Sequence, residues 1–259
     1  MLGKVIAVTN QKGGVGKTTT AINLSASLAA KGRRVLTLDI DPQGNTTSGL
    51  GVDKDTVEAS IYDALIAGRP IEETIHLTKQ DGLQLIPSNI QLAGAEVEMV
   101  GMMAREYILK RALENLRDMY DYLFIDCPPS LGLLTLNALT AADKVLVPIQ
   151  CEYFALEGLS QLMNTVQLVK RNLNPNLEVE GVVLTMLDGR TNLGIQVVDE
   201  VKRHFRDKVY RTIIPRNIRL GEAPSYGLPI NLYDPKCTGA EAYSELADEV
   251  IEANEEEVS

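Results

Sequence analysis

Residues 12–19 read Lys12-Gly13-Gly14-Val15-Gly16-Lys17-Thr18-Thr19. An apolar run at residues 5–8 precedes this stretch, and an amphipathic segment that begins at Ala21 follows it. A glycine-rich loop between a strand and a helix can turn its backbone N–H groups around phosphate oxygens, and the helix N-terminus adds positive partial charge. In such a loop Lys17 reaches the β- and γ-phosphates and the Thr18 hydroxyl holds Mg²⁺. The sequence therefore predicts a nucleotide-binding P-loop rather than an ordinary glycine-rich turn.

The loop departs from the usual spacing at its opening. The common pattern asks for glycine at the position of Gln11, and here a second lysine, Lys12, follows that position instead. This P-loop is therefore a variant with two lysines.

Apolar runs alternate with helical patterns along the chain, which is typical of a parallel sheet covered on both faces. Strands are predicted at residues 5–8, 35–38, 83–86, 122–125, 144–148, 179–185 and 209–213. Helices are predicted at residues 17–31, 104–119, 133–141, 156–172, 193–205 and 241–252. We expect an α/β P-loop fold in a single domain, residues 1–259, with a frayed acidic tail at about 253–259.

Three carboxylates follow predicted strands. Asp39 and Asp41 lie at the end of the second strand, and Asp126 ends the apolar run at residues 122–125. Ligands bind at the carboxyl ends of the strands in open α/β sheets. A carboxylate that ends a buried strand is costly without a partner, so Asp126 is predicted to hold Mg²⁺ beside Thr18. Asp39 and Asp41 are two residues apart, and we expect them to do different jobs.

Composition and charge indicate where the protein works and what it contacts. The three cysteines are widely spaced, as in proteins of a reducing compartment, and no long apolar segment is present, so we expect a cytoplasmic protein without membrane attachment. The net charge is −10, which argues against a protein that coats DNA. Residues 202–219, however, hold seven Lys or Arg and one acid. Local charge governs attraction to phosphate within roughly 8–10 Å, so this segment is a candidate DNA surface.

The two-lysine loop resembles the deviant Walker A motif of the ParA/MinD class of P-loop ATPases. Five further blocks resemble the ParA/Soj family of chromosome-partitioning ATPases within that class: Leu38-Asp39-Ile40-Asp41-Pro42-Gln43-Gly44-Asn45, Asp126-Cys127-Pro128-Pro129-Ser130, Gln150-Cys151-Glu152-Tyr153, Asp188-Gly189-Arg190-Thr191-Asn192 and Pro215-Arg216-Asn217. The resemblance extends from Lys4 to about Ala247. It implies an ATPase with ATP and Mg²⁺ as cofactors.

The resemblance also implies roles at the nucleotide. Lys12 would cross a dimer interface to the partner's phosphates, and Asp41 would position the attacking water while Asp39 supports the magnesium shell. Catalysis is thus expected from Lys12, Lys17 and Asp41. The implied ATP-binding set is Lys12, Gly13, Gly14, Val15, Gly16, Lys17, Thr18, Thr19, Glu152 at the ribose of the partner's nucleotide, and Met186, Pro215 and Asn217 at the adenine. The metal set is Thr18, Asp39 and Asp126.

The same resemblance implies partners. An ATP-dependent homodimer would bind double-stranded DNA non-specifically through Arg190 and Arg219, with Lys202, Arg203 and Arg206 widening the surface. A ParB protein would stimulate hydrolysis and release the DNA, which implies association with the nucleoid. A replication initiator is a further expected partner.

Two alternatives remain open on the sequence. A MinD-like cell-positioning ATPase would need a basic amphipathic C-terminal helix, and this chain ends in acidic residues. A non-catalytic module would use ATP only to hold a dimer together. The presence of Asp41, Lys17, Thr18 and Asp126 favours an enzyme.

Overall fold

The structure is a computed structural model that describes residues 2–151, 155–187 and 192–256. Within them, eight strands form one sheet: β1 Lys4–Val8, β2 Val35–Asp39, β3 His76–Leu77, β4 Leu83–Ile86, β5 Tyr122–Asp126, β6 Lys144–Gln150, β7 Glu178–Leu187 and β8 Val209–Pro215. Their order is β3-β4-β2-β5-β1-β6-β7-β8, and every pair is parallel except β3 with β4. The predicted α/β fold and its seven strands are confirmed, and only the two-residue strand β3 was not predicted.

The described residues hold α1 Lys17–Ala30, α2 Asn45–Gly49, α3 Ile61–Leu65, α4 Leu92–Met99, α5 Ile108–Leu113, α6 Leu133–Ala141, α7 Ala155–Asn172, α8 Asn192–Phe205, α9 Ile218–Glu222, α10 Ile230–Tyr233 and α11 Thr238–Glu256. Five of these, α2, α3, α4, α9 and α10, were not predicted. Each has eight residues or fewer, which is too short for a 3.6-residue period to stand out. No helix in the described part of the chain has both the length and the apolar character needed to cross a bilayer.

Alternate residues of the central strands serve two apolar layers. In β1, Val5 and Ala7 face one buried cluster, while Ile6 and Val8 face the other. Side chains of a strand point alternately to the two faces of its sheet, so a strand buried on both faces reads as a continuous apolar run. One layer packs under α3–α8, and the other under α1, α10 and α11.

The predicted helix over residues 104–119 is wrong as a continuous element. Ala104 has a left-handed backbone with φ of 50°, and α5 is flanked by 3₁₀ turns at Arg105–Tyr107 and Glu114–Leu116. The buried side chain of Asn137 explains the break. Its amide donates to the Arg105 carbonyl at 2.9 Å and its oxygen accepts from the Leu109 N–H at 3.1 Å. These backbone groups are therefore bonded to a side chain of α6 instead of to a longer helix.

The predicted frayed tail is also wrong for residues 253–256, because α11 extends to Glu256. Asn254 is buried and its amide donates to Glu180 Oε1 at 2.8 Å. Glu180 also forms an ion pair with Lys144, whose Nζ lies 2.8 Å from Glu180 Oε2. Lys4 Nζ donates a hydrogen bond to Asn254 Oδ1 at 2.6 Å. This buried polar network, which we call the basal network, fastens the end of α11 to the first residues of β1 and β6. Residues 257–259 lie outside the described part.

A carboxylate of α11 also bonds to the backbone of β8, a strand at the edge of the sheet. Glu249 accepts the backbone N–H groups of Arg211 and Thr212, both at 2.8 Å. The β7–β8 register shifts between Val182 and Leu184, as at a β-bulge. The backbone groups that this irregularity exposes in β8 are therefore bonded to a side chain.

The chain order identifies the edge at which a ligand binds. β1 lies between β5 and β6, so the connections that leave β1 and β5 run to opposite sides of the sheet. Ligands of open α/β sheets bind at such a switch point, outside the carboxyl ends of the strands. The loop after β1, the ends of β2 and β5, and the end of β8 all lie there.

Candidate nucleotide site

The phosphate loop, residues 9–16, links β1 to α1 with an unusual backbone. Gly14 and Gly16 have φ of 74° and 89°, a left-handed region that glycine enters without steric cost. Gly16 is the N-cap of α1 and contributes no capping side chain. A Cβ built at Gly13 or Gly14 would meet no atom within 4 Å. The first N–H groups of α1 therefore face an open cradle, which suits an anion such as a phosphate group.

Neighbouring strands hold the phosphate loop in place. The Lys12 N–H donates to Asn10 Oδ1 at 3.0 Å, and the Asn10 amide donates to the Pro148 carbonyl at the end of β6 at 2.8 Å. On the other side, Thr185 of β7 donates its hydroxyl to the Val15 carbonyl at 2.9 Å. The cradle is thus preorganised by side chains from two strands, and Lys12 is half-buried at its opening.

Lys17 is buried inside the loop, with 7% of its surface exposed. Its Nζ donates to the Lys12 carbonyl at 3.1 Å. Burial lowers the pKa of Lys17, and the negative charge of Asp126 opposes that shift. A desolvated ammonium interacts strongly with phosphate oxygens, because less water competes for it.

Asp126, at the end of β5, receives two hydroxyl groups on one oxygen. Thr18 of α1 and Thr46 of α2 donate to Asp126 Oδ2 at 2.8 and 2.7 Å. The other oxygen, Oδ1, is buried and has no hydrogen-bond partner among the described residues. Burial raises the pKa of Asp126 to about 6, and the two threonine hydroxyls oppose that shift. An unpartnered buried carboxylate oxygen beside a threonine hydroxyl fits Mg²⁺, which prefers oxygen ligands.

Asp39 and Asp41 stand in different surroundings. Asp39 is completely buried and accepts three hydrogen bonds: from the Asp41 N–H at 3.1 Å and from the Thr47 N–H and hydroxyl at 2.8 and 2.7 Å. Burial and the neighbouring Asp126 raise the pKa of Asp39 to about 7. Asp41 is half-buried, and its Oδ1 accepts the Gln43 N–H at 2.9 Å. Asp39 thus organises the turn after β2, and Asp41 reaches the edge where the loop lies.

A cavity of about 200 Å³ adjoins the phosphate loop. It brings Met186, Pro215 and Asn217, three predicted adenine residues, together with Gly16 and Thr19; the remaining lining residues are Thr185, Ile214, Arg216, Leu220, Gly221 and Tyr243. The cavity is mainly apolar and lies between the ends of β7 and β8 and α11, which suits a planar base. Sequence reasoning missed Thr185 and Tyr243, because no local motif joins them to the loop.

The side chain of Asn217 has a structural task in this cavity wall. Its oxygen accepts the Arg219 N–H at 2.8 Å and so caps α9, and its amide donates to the Thr238 hydroxyl at 2.9 Å. These contacts use one of the two N–H donors and one of the two oxygen lone pairs of the amide, so the expected hydrogen bond from Asn217 to adenine stays a prediction.

The predicted DNA residues that the structure describes lie at two places in the fold. Lys202 and Arg203 lie in the last turn of α8 and Arg206 follows it, before β8 begins. Arg219 comes after β8 ends, so a seven-residue strand, roughly 20 Å long, separates them. Arg219 also pairs with Glu222 at 2.8 Å and with Asp234 at 3.5 Å. The predicted DNA surface therefore stays a prediction, and two further predicted residues, Arg190 on that surface and Glu152 at the nucleotide, lie outside the described residues.

Comparison with known proteins agrees with the fold and the loop. A family model described as an AAA domain matches residues 3–179. The chain is 64% identical to the sporulation initiation inhibitor protein Soj of Bacillus subtilis over 96% of this chain and 98% of that protein. It is 56% identical to the chromosome partitioning protein ParA of Myxococcus xanthus, over 96% and 88% of the two chains.

A solved structure with bound nucleotide has the same fold. Cobyrinic acid a,c-diamide synthase from Mycobacterium smegmatis, with bound ATP analog and magnesium, superimposes with a TM-score of 0.85 at 41% identity, over 96% of this chain and 95% of that chain. The parallel sheet, the variant loop and the strand-end carboxylates define a P-loop ATPase. The chain belongs to the Soj/ParA family of chromosome-partitioning ATPases.

Proposed function

We propose that this protein is a DNA-partitioning ATPase in which ATP and Mg²⁺ close two copies into a dimer that binds DNA without sequence preference. The proposal depends most on the opening of the phosphate loop. Lys12 is half-buried there, and the neighbouring Gly13 and Gly14 are exposed. A second copy could therefore bring its own Lys12 to phosphates held in the cradle.

The residues around the nucleotide divide the work of binding and hydrolysis in this proposal. The cradle from Gly13 to Thr19 holds the phosphates, the 200 Å³ cavity holds adenine, and Thr18 with Asp126 Oδ1 holds Mg²⁺. Lys17 and the partner's Lys12 neutralise charge as it shifts to the leaving oxygen. Asp41 orients the attacking water in line with the γ-phosphate. Mg²⁺, when bound, offsets the charge of the β- and γ-oxygens.

Dimerisation would explain how an acidic chain binds DNA. One basic position on a protein with net charge −10 attracts DNA weakly, whereas two linked positions raise the overall affinity by up to about 10²–10⁴. Binding directed at phosphates is salt-sensitive and ignores base sequence. A ParB protein would trigger hydrolysis, and the ADP state would release the DNA. In the cell this places the protein in the cytoplasm on the nucleoid, with a replication initiator as a further partner.

The test is DNA binding by the Asp41→Ala protein with ATP, with ADP and without nucleotide, at two salt concentrations. We expect tight, salt-sensitive binding only with ATP, because this variant retains the dimer. Arg219→Ala in the same background should weaken it at least tenfold. Arg34→Ala is the matched control, since Arg34 is also exposed and also pairs with an acid, Asp121 at 2.9 Å, but lies outside segment 202–219. It should bind as the parent does.

Two results would contradict the proposal. Equal DNA binding in all three nucleotide states would mean that nucleotide does not control the surface. Absence of binding in every state would favour a MinD-like positioning ATPase. The non-catalytic alternative predicts that an N-terminal ParB peptide with DNA leaves ATP turnover unchanged, whereas our proposal predicts stimulation.

A further inference from the structure

Two adjacent threonines of α2 bond to two different carboxylates. Thr46 donates its hydroxyl to Asp126 Oδ2 at 2.7 Å, and Thr47 donates its hydroxyl and N–H to Asp39 Oδ2 at 2.7 and 2.8 Å. Both threonines are completely buried. A five-residue helix thus connects the ends of β2 and β5.

Packing leaves α2 little freedom to shift. A Cβ added at Gly49 would overlap Ile22 Cδ1 of α1 and would lie 3.7 Å from Pro224. The Thr47 hydroxyl also accepts the Ser88 N–H at 2.9 Å, which fastens α2 to the segment after β4. The Thr46 hydroxyl is therefore presented to Asp126 from a rigid support.

Asp126 has one oxygen with two donors and one with none. Thr18 and Thr46 approach Oδ2 from α1 and α2, and two donors on one oxygen fix the plane of the carboxylate. Oδ1 is consequently held in a buried position without a hydrogen-bond partner among residues 2–151, 155–187 and 192–256. Without Thr46 the carboxylate could rotate about its terminal torsion, which is broad for Asp.

The same helix continues the turn that carries Asp41. The Gly44 N–H donates to the Asp41 carbonyl at 2.9 Å, and the Ser48 N–H donates to the Gly44 carbonyl at 3.1 Å. We propose that Thr46 is a positioning residue: its hydrogen bond fixes the orientation of the Asp126 carboxylate, so that Oδ1 stays available to the metal. Because Thr46 belongs to the helix that continues the Asp41 turn, it also fixes the position of this carboxylate relative to Asp41. This inference rests on the proposed assignment of Mg²⁺ to Thr18 and Asp126.

The experiment measures the affinity for a fluorescent ADP analogue with Mg²⁺ and with EDTA, so no turnover is needed. Thr46→Val keeps the shape and removes the hydroxyl. We expect it to lose about tenfold or more of the Mg²⁺-dependent tightening, as for outer-shell partners of metal ligands, with its EDTA affinity unchanged. Thr46→Ser should restore the wild-type response. Thr140→Val is the matched control, because Thr140 is equally buried and its hydroxyl donates to the Leu136 carbonyl in α6.

A wild-type Mg²⁺ response in Thr46→Val, or an equal loss with EDTA, would overturn the inference. Thr46→Ala replaces the valine variant in the same test if valine prevents folding. Mn²⁺ binding followed by electron paramagnetic resonance gives a second readout and should weaken in parallel. Asp126→Asn separates the two proposals: if it keeps the full Mg²⁺ response, the metal assignment itself fails. If only Thr46→Val keeps it, the positioning role alone fails.

Discussion

Asp39 and Asp126 are register partners at the ends of β2 and β5, and both are buried. Their folded pKa values of about 7 and about 6 exceed the usual value for Asp, first because of burial. The folded pair therefore holds protons that an unfolded chain has already released near pH 5.

The raised pKa values of this pair make the stability of the fold depend on pH in a predictable direction. The pair binds more protons folded than unfolded between about pH 4 and pH 7, so its contribution to the free energy of unfolding decreases as pH rises through that range. Asp126→Asn removes one group and its repulsion on Asp39. We expect the variant to be less sensitive to pH, by on the order of 2 kcal/mol between pH 5 and 7.5 in the absence of nucleotide. Urea unfolding of both proteins measures it; parallel pH profiles would contradict the pair's role.

Asp41 allows a separate prediction about catalysis. Its Oδ1 accepts the Gln43 N–H within the same turn, so Asp41→Ala should leave the phosphate loop and the base cavity intact. ATP affinity should stay within about threefold of wild type while kcat falls by about 10² or more, as for loss of a group that orients a nucleophile. Equilibrium binding and single-turnover hydrolysis check the two halves. Loss of ATP binding would mean that Asp41 belongs to the binding site.

At the scale of elements, the phosphate loop offers a comparison between adjacent glycines. Both Gly13 and Gly14 have open space for a Cβ, but only Gly14 has a positive φ. Gly14→Ala should therefore cost about 1–2 kcal/mol in the free energy of unfolding, because L-residues are strained there. Gly13→Ala is the control. It should change the free energy of unfolding by about 0.5 kcal/mol or less, as is usual for substitutions at exposed positions. Chemical denaturation measures both, and equal costs would contradict the strain argument.

Local pattern explains which elements could be predicted. The seven longer strands are apolar runs, and Asp126 was recognisable because it ends one of them. The short helix α2 has no such signal, and the partner of Thr46 lies 80 residues away in the chain. Asn217 shows the same limit, since its capping and its bond to Thr238 depend on where α9 and α11 meet. These features depend on contacts between segments that are far apart in the chain, and local sequence patterns carry no signal for such contacts.

Across the whole molecule, the basal network lies at the sheet edge opposite the nucleotide site. Lys144 and Glu180 are buried there, with side-chain exposures of 9% and 1%. Removing one partner of a buried pair leaves an uncompensated charge, which typically costs about 3–5 kcal/mol. We expect Glu180→Ala to destabilise the protein by about that amount while ADP affinity of the folded protein is unchanged. Asp248→Ala, which breaks the exposed Lys31 pair, should cost about 1 kcal/mol or less.

Thermal and urea unfolding with an ADP titration distinguish the outcomes. If both variants lower the free energy of unfolding by the same amount, the buried Lys144–Glu180 pair is no more important for stability than the exposed Lys31–Asp248 pair. If Glu180→Ala weakens ADP binding in the folded protein, the two edges of the sheet are coupled through α11, whose Tyr243 lines the base cavity.

Glu249 has a consequence for solubility. An uncovered edge strand offers its N–H and C=O groups to other chains, and natural proteins protect such edges. Here the carboxylate of α11 occupies two N–H groups of β8, at a point where the strand is already bent. A copy whose C-terminal helix is detached, by partial unfolding or by proteolysis, would present β8 to identical copies. Loss of that helix would then lead to aggregation through intermolecular strand pairing.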